Sequence, residues 1–303
     1  MLYGYITILA VIGVAILYML LRGRGGEDHN LMEDVPSISI NKESLEKHAF
    51  QISQYFFTIT RKSNCRRKLI KSLDNSYGQI IKTYEYLDKQ VKQRKEILPA
   101  AEWMIDNLYL IEREYKDIKH NMPMSYYKGL PVIKKGIMKG YARCYHIAVE
   151  LISHTDGAVD EEIIETFIKA YQKNSVLTTG ELWALPIMIR IALIQNISKI
   201  AEKIIYAQQE KQKAETLAEK IIEAYNNERL EDELRRISLE ENIEYSSHFV
   251  ERLLKVVRDN GVDRAPFYKW IDDRLILQQT TADKMIIVEH QKQGSYQISM
   301  GNS

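Results

Sequence analysis

From Leu45 to Ile118 the apolar residues recur at spacings of three and four, with few turn-forming residues between them. Leu45, Ala49, Ile52, Phe56 and Ile59 share one side of a helix over 44–60. Leu69, Leu73, Ile80, Tyr84, Leu87 and Val91 repeat that pattern through a segment predicted helical from 66 to 98. Pro99 fits the first turn of the next helix, because its missing N–H would be unpaired there anyway. That helix, 100–120, carries Trp103, Met104, Leu108, Ile111, Tyr115 and Ile118 on one side. Six prolines and 14 glycines in 303 residues are too few for the many tight turns of an all-β sandwich. The expected fold is all-α: one N-terminal transmembrane helix followed by a multi-helix cytosolic bundle.

Residues 2–21 carry no charge. Twenty helical residues rise about 30 Å, the hydrocarbon thickness of a bilayer. Tyr3, Tyr5 and Tyr18 lie near the ends of that run, and Arg22 and Arg24 follow it. No Lys or Arg precedes it, so the charge bias puts the N-terminus outside and residues 23–303 in the cytosol. A cleaved signal peptide is the rival reading, but the basic n-region and a small-residue cleavage site are missing. Residues 1–24 are therefore expected to be a single-pass anchor. Residues 25–43, with Gly25, Gly26 and Pro36 among mixed charges, are expected to be a linker, and 44–303 a helical module. Two cysteines, Cys65 and Cys144, exclude a disulfide scaffold and a four-thiolate zinc site.

Downstream, Pro123, Gly129, Pro131 and Gly136 mark a loop before a helix near 137–153. Asp160, Glu161 and Glu162 open a helix over 160–173, since acids favour the positive helix end. Thr178-x-x-Glu181 has the form of a capping box. The helix it starts is apolar nearly all round over 182–194, too short to span a bilayer and so read as the central buried helix, kinked at Pro186. Amphipathic Glu/Lys-rich helix continues to about 225. Further helices are expected at 228–240, 245–260 (ending at Asn260-Gly261), 264–275 and 280–291. No strand-like alternation of any length is present.

Chemistry is sparsely signalled. Neither a dinucleotide-binding G-x-G-x-x-G nor a phosphate-binding G-x-x-x-x-G-K-[ST] occurs, and the seven histidines are scattered. A net charge of +1 provides no bulk field for nucleic acid, and no nucleic-acid partner is expected. Glu102 and Asp106 are four apart on one helical side, where they either mimic an acid/base pair or are simply solvated. His154 and Asp156 form a small polar cluster or merely a turn before a cap. Arg190 interrupts the most apolar helix and needs a carboxylate partner, as an ion pair or as part of a ligand site. Residues 61–73, with Arg66 and Arg67, and 118–149, with Lys134 and Lys135, are basic stretches without a single acid. They are candidates for lipid headgroups, for the phosphates of a sugar nucleotide, or for a solvated face. Cys65, beside Arg66 and Arg67, is taken as an incidental thiol.

Three blocks carry a resemblance. They are Ala101–Asn107 with Tyr109–Glu112; Tyr127–Pro131; and His154–Gly157 with Phe167–Tyr171 and Leu177–Met188. Their order and wording are similar to the N-terminal region of bacterial cyclic β-1,2-glucan synthases, and Glu289–Gln291 with Gln297–Ser303 resembles a further block. Those synthases join a family 84 glycosyltransferase region to a family 94 phosphorylase-like region in the inner membrane. The likeness covers 95–303 well and 44–94 loosely. It implies UDP-glucose and a divalent metal only for the transferase region. The D-x-D and Q-x-x-R-W motifs of that region are absent here, so no catalytic residue and no cofactor is assigned to this chain. The resemblance implies a fragment truncated at its C-terminus. It would be noncatalytic by itself and would tether or scaffold the transferase at the bacterial inner membrane. The partners so implied are the membrane and the remainder of a synthase polypeptide or subunit. The alternatives are a stand-alone membrane-anchored interaction protein, or a carbohydrate-active enzyme using Glu102, Asp106 or Asp156.

Overall fold

A computed structural model of the chain describes residues 42–55, 59–60, 66–122, 127, 129–135, 138–240, 245–262 and 265–290. The expected anchor, the linker up to residue 41 and Cys65 lie outside the described residues; Lys42 and Glu43, expected in the linker, belong to the first helix. What is described is almost entirely helical. In order come α1 (Lys42–Tyr55), β1 (Ile59–Thr60), α2 (Arg66–Lys92), α3 (Pro99–Asn121), β2 (Val132–Ile133), α4 (Arg143–His154), α5 (Glu161–Gln172), α6 (Thr179–Asn226), α7 (Leu230–Glu240), α8 (Ser247–Asp259) and α9 (Ala265–Leu277). Residues 282–290 form a last helical stretch.

The described residues up to Ala201 make one compact unit, and Glu202–Tyr296 belongs to a second. In the first, α1 packs on α5 and α2 on α3. Leu45, Ala49 and Ile52 of α1 are buried, as are Leu69, Leu73, Ile80 and Leu87 of α2. These are the residues whose spacing marks the inner side of each helix. Helix α2 stops at Lys92, earlier than the expected 98, because Arg94 takes a left-handed backbone (φ 56°) that cannot continue a helix. Pro99 begins α3 as expected. Asp160 caps α5, accepting from Ile163 N at 2.7 Å.

One feature departs from the periodicity. A two-residue antiparallel ribbon pairs Ile59 with Ile133 and Thr60 with Val132, where the sequence shows no strand pattern. Two residues are too few for alternation to register. Helix α6 is a single 48-residue helix that runs through Pro186 to Asn226, close to the expected end near 225. Proline in the eighth position removes one backbone hydrogen bond, but the flanking Ala184, Leu185, Met188 and Ile189 are buried and hold the segment in place. By length and composition α6 is apolar enough to cross a membrane, its best window having a mean hydropathy of 1.3. That window is 61% buried inside the protein, as a core helix would be.

The second unit closes its own core. Leu217 and Ile221 of α6, Leu234 and Ile237 of α7, Phe249, Val250, Leu253 and Val257 of α8, and Phe267 and Ile271 of α9 are buried together. Ser246 caps α8 through Phe249 N at 3.2 Å, and α8 ends at Asn260 before Gly261 (φ 74°). Trp270 Nε1 donates to Ser238 Oγ at 2.9 Å, joining α9 to α7.

Candidate functional site

The polar side chains inside the first unit gather at a few nodes. The most buried is built on the capping box. Glu181 N donates to Thr178 Oγ1 at 3.3 Å, while Thr178 N donates back to Glu181 Oε2 at 2.9 Å. The Glu181 carboxylate then takes a forked pair of bonds from Arg143: Nε to Oε1 at 2.7 Å and Nη2 to Oε2 at 2.5 Å. Arg143 also donates to Ser175 Oγ at 2.8 Å and to the Val176 carbonyl at 3.0 Å. Both side chains are withdrawn from water, 4% and 0% exposed. Burial opposes the guanidinium charge, but the hydrogen bond and charge of Glu181 outweigh it and hold the Arg143 pKa above its ordinary value. The node fastens the start of α4 to the turn before α6. Its carboxylate was legible as a cap; its arginine was not, since Arg143 reads as one more cation of a basic stretch.

Arg190 has the carboxylate partner its position demands. Its Nε donates to Glu114 Oε2 at 2.6 Å and its Nη2 pairs with the same group, with Asp117 at 3.7 Å. Arg190 therefore ties α6 to α3.

His154 and Asp156 do not meet as a pair; His154 enters a different cluster. His146, Glu150 and His154 are four apart along α4 and so share one side of it. His48 of α1 reaches that side: Nε2 lies 3.0 Å from Glu150 Oε2, and its ring stacks on His154 at 4.5 Å. His146 Nε2 lies 3.1 Å from the other Glu150 oxygen. The hydrogen bond from His146 holds Glu150 below the usual carboxylate range, against its partial burial, with His48 adding to it. Burial first, and His48 second, push the His154 pKa down, opposed by Glu150 and Asp156. His48 carried no sequence signal, because its partners lie about a hundred residues away. Among the described residues no group of three or more His, Cys, Asp or Glu is arranged to hold a metal ion.

The remaining candidates are dispersed. Glu102 and Asp106 are exposed on α3, and Asp156 is exposed in the turn after α4 (φ 49°), with no hydrogen bond or ion pair joining the three among the described residues. Cys144 is wholly buried and its thiol is pushed well above the ordinary range, chiefly by burial, which removes it as a nucleophile. Arg67, Lys134 and Lys135 are exposed; the side chain of Arg66 lies outside the described residues.

The second unit holds a buried cluster that the sequence reading missed. His248 Nδ1 lies 2.6 Å from Glu289 Oε2, and Ser247 Oγ donates to the same oxygen at 3.2 Å. Glu289 is 0% exposed. The Tyr206 ring meets His248 edge-on at 6.2 Å. Serine and histidine here share one carboxylate oxygen, which clasps the 282–290 stretch to the start of α8. Nearby, Ser246 Oγ donates to Glu210 Oε2 at 2.8 Å. These nodes tie helices together by pairing buried charges.

No family model matches the chain. Over 226 residues, 74% of its length, the chain is 27% identical to cyclic beta-(1,2)-glucan synthase NdvB of Rhizobium meliloti (strain 1021). The match covers 8% of that protein. The chain is thus distantly related to a region of the synthase, and the expected resemblance is found.

Proposed function

We propose that this chain is a helical module that positions a glucan-synthesising transferase at the inner membrane and does not itself transfer sugar. The likeness to 226 residues of a cyclic glucan synthase carries the reading. The layout of the polar residues supports it. The best-buried charges are engaged with one another across helices, and the candidate acids Glu102, Asp106 and Asp156 stand exposed and apart. Glycosidic chemistry asks for two carboxyl groups facing each other across a sugar, roughly 5–9.5 Å apart. In this reading residues 2–21 hold the chain in the bilayer with 23–303 on the cytosolic side. UDP-glucose and its metal then belong to the transferase polypeptide.

The test is to isolate the full chain from membranes that also contain a transferase polypeptide bearing D-x-D and Q-x-x-R-W. The reading expects the two to co-purify and the complex to make glucan. A chain that leaves the membrane alone, with the transferase fully active without it, would overturn the reading. A stand-alone interaction protein is the second reading. It is favoured by the exposed Leu239 (85%), Leu277 (77%) and Ile276 (65%) of the second unit, and a stable complex lacking any synthase polypeptide would select it.

A further inference from the structure

Helix α1 is held on the first unit by contacts of different kinds. Leu45, Ala49 and Ile52 are buried, and α5 is the helix that α1 packs on. Two ion pairs cross to α5 and its end, Lys42 with Glu162 at 2.7 Å and Lys173 with Glu46 at 3.2 Å. Their side chains are exposed, so these pairs contribute little. Asn174 Nδ2 donates to the Ser53 carbonyl at 3.1 Å. The remaining contact is His48, which reaches α4. Among these contacts His48 is the group that titrates between about pH 5 and 8.

His48 meets three acid–base groups, all carried by α4. Its Nε2 lies 3.0 Å from Glu150 Oε2, and His146 Nε2 lies 3.1 Å from Glu150 Oε1. The His48 and His154 rings stack with centroids 4.5 Å apart and planes 6° from parallel. Asp156 acts on His154 from the turn after α4. From α5 the His48 ring meets the apolar Phe167 at 6.2 Å. The other charged groups on α1 and across it on α5 are engaged elsewhere: Lys42, Glu46, Glu162 and Lys173 in the pairs above, Lys47 with Glu43, and Glu165 with Lys169.

Charge balance makes this arrangement sensitive to acid. With all three imidazoles charged, Glu150 and Asp156 cannot offset them, and two of the cations lie ring on ring. His146, Glu150 and His154 cannot separate, because one helix carries them. The repulsion is relieved by moving His48, and α1 with it. Once α1 has moved, His154 stands in the last turn of α4, where the helix dipole favours a cation. The undocked form therefore binds protons better than the docked one. Burial first and His48 second hold the His154 pKa below 6.5 in the docked form, which has the same sign.

We propose that the His48–His154 stack, with Glu150 and His146 beside it, is an acid-sensitive latch that keeps α1 docked near neutral pH and loosens it as the solution is acidified. The opening is local. It uncovers Leu45, Ala49 and Ile52, while the Arg143–Glu181 and Arg190–Glu114 pairs, which contain no histidine, still hold α3, α4 and α6 together.

The test is amide exchange of the full chain in phosphatidylcholine nanodiscs at about pH 7.5 and about pH 5.5, which bracket the histidine range. Glu150, held below 4.5, stays charged at both. After correction for the intrinsic effect of pH on exchange, protection of the 45–55 segment is expected to fall several-fold at the lower pH. Protection of the 99–121 and 143–154 segments should hold. His154→Gln, which keeps an uncharged side chain beside His48 at both pH values, should abolish the fall. A merely structural histidine would change α1 protection equally at both pH values and leave the fall in place. His154 is exposed, and an unchanged thermal unfolding curve at the higher pH shows that the variant is folded. Equal α1 protection at both pH values in the native chain overturns the proposal. So does a fall shared by the 99–121 and 143–154 segments, which would mark global acid unfolding, and so does a fall that survives in His154→Gln.

Discussion

At the residue scale the Arg143–Glu181 pair is the most exacting feature. Removing one member of a buried, forked pair leaves a charge without compensation. Arg143→Met is expected to lower unfolding stability by about 3–5 kcal/mol in urea denaturation. Thr178→Ala, which loses only the cap, should cost about 1 kcal/mol. Because Thr178 and Arg143 act on the same carboxylate, the double variant should cost less or more than the sum, not equal it. The histidine cluster makes a pH prediction. His154 is held below its ordinary value of 6.5, so the unfolded chain takes up a proton first as the solution is acidified. The stability it contributes is present above 6.5 and lost as pH falls through the folded value. Glu150, held below 4.5, loses its contribution in a second, more acid window. Urea midpoints against pH should show the upper slope in the native chain and a flatter curve in His154→Gln.

At the element scale, helices were legible wherever one side is apolar and a cap or breaker is local. The Pro99 start, the Asp160 cap, the Thr178–Glu181 box and the Asn260–Gly261 stop all depend on residues within four positions of one another. Arg190 was legible too, because a charge in an apolar run demands a partner, although Glu114 could not be named. What needs distant partners was not legible. The ribbon between Thr60 and Val132, His48 on Glu150, and His248 on Glu289 join segments whose separation periodicity does not encode. Helix α8 shows how much a legible helix contributes. Leu253 is fully buried among Phe249, Val250 and Val257. Leu253→Ala is expected to destabilise the chain by about 2–5 kcal/mol, read from the thermal or urea transition. Leu239→Ala, with the side chain 85% exposed, should change it by less than about 0.5 kcal/mol.

At the scale of the whole molecule, the chain combines a helical scaffold with buried charges committed to holding helices together. The relation to a glucan synthase covers most of this chain but about a twelfth of that protein, so the synthase's activity does not transfer with the likeness. The candidate acids lie apart, and the buried thiol of Cys144 is shielded from reaction. These properties support the proposed positioning role. The direct measurement is transfer of radiolabelled glucose from UDP-glucose into glucan by membranes containing this chain as their only added protein, with a divalent metal present. The account predicts incorporation no greater than in membranes without the chain. Incorporation that rises with the amount of chain, and disappears in a Glu102→Gln, Asp106→Asn, Asp156→Asn variant, would contradict it.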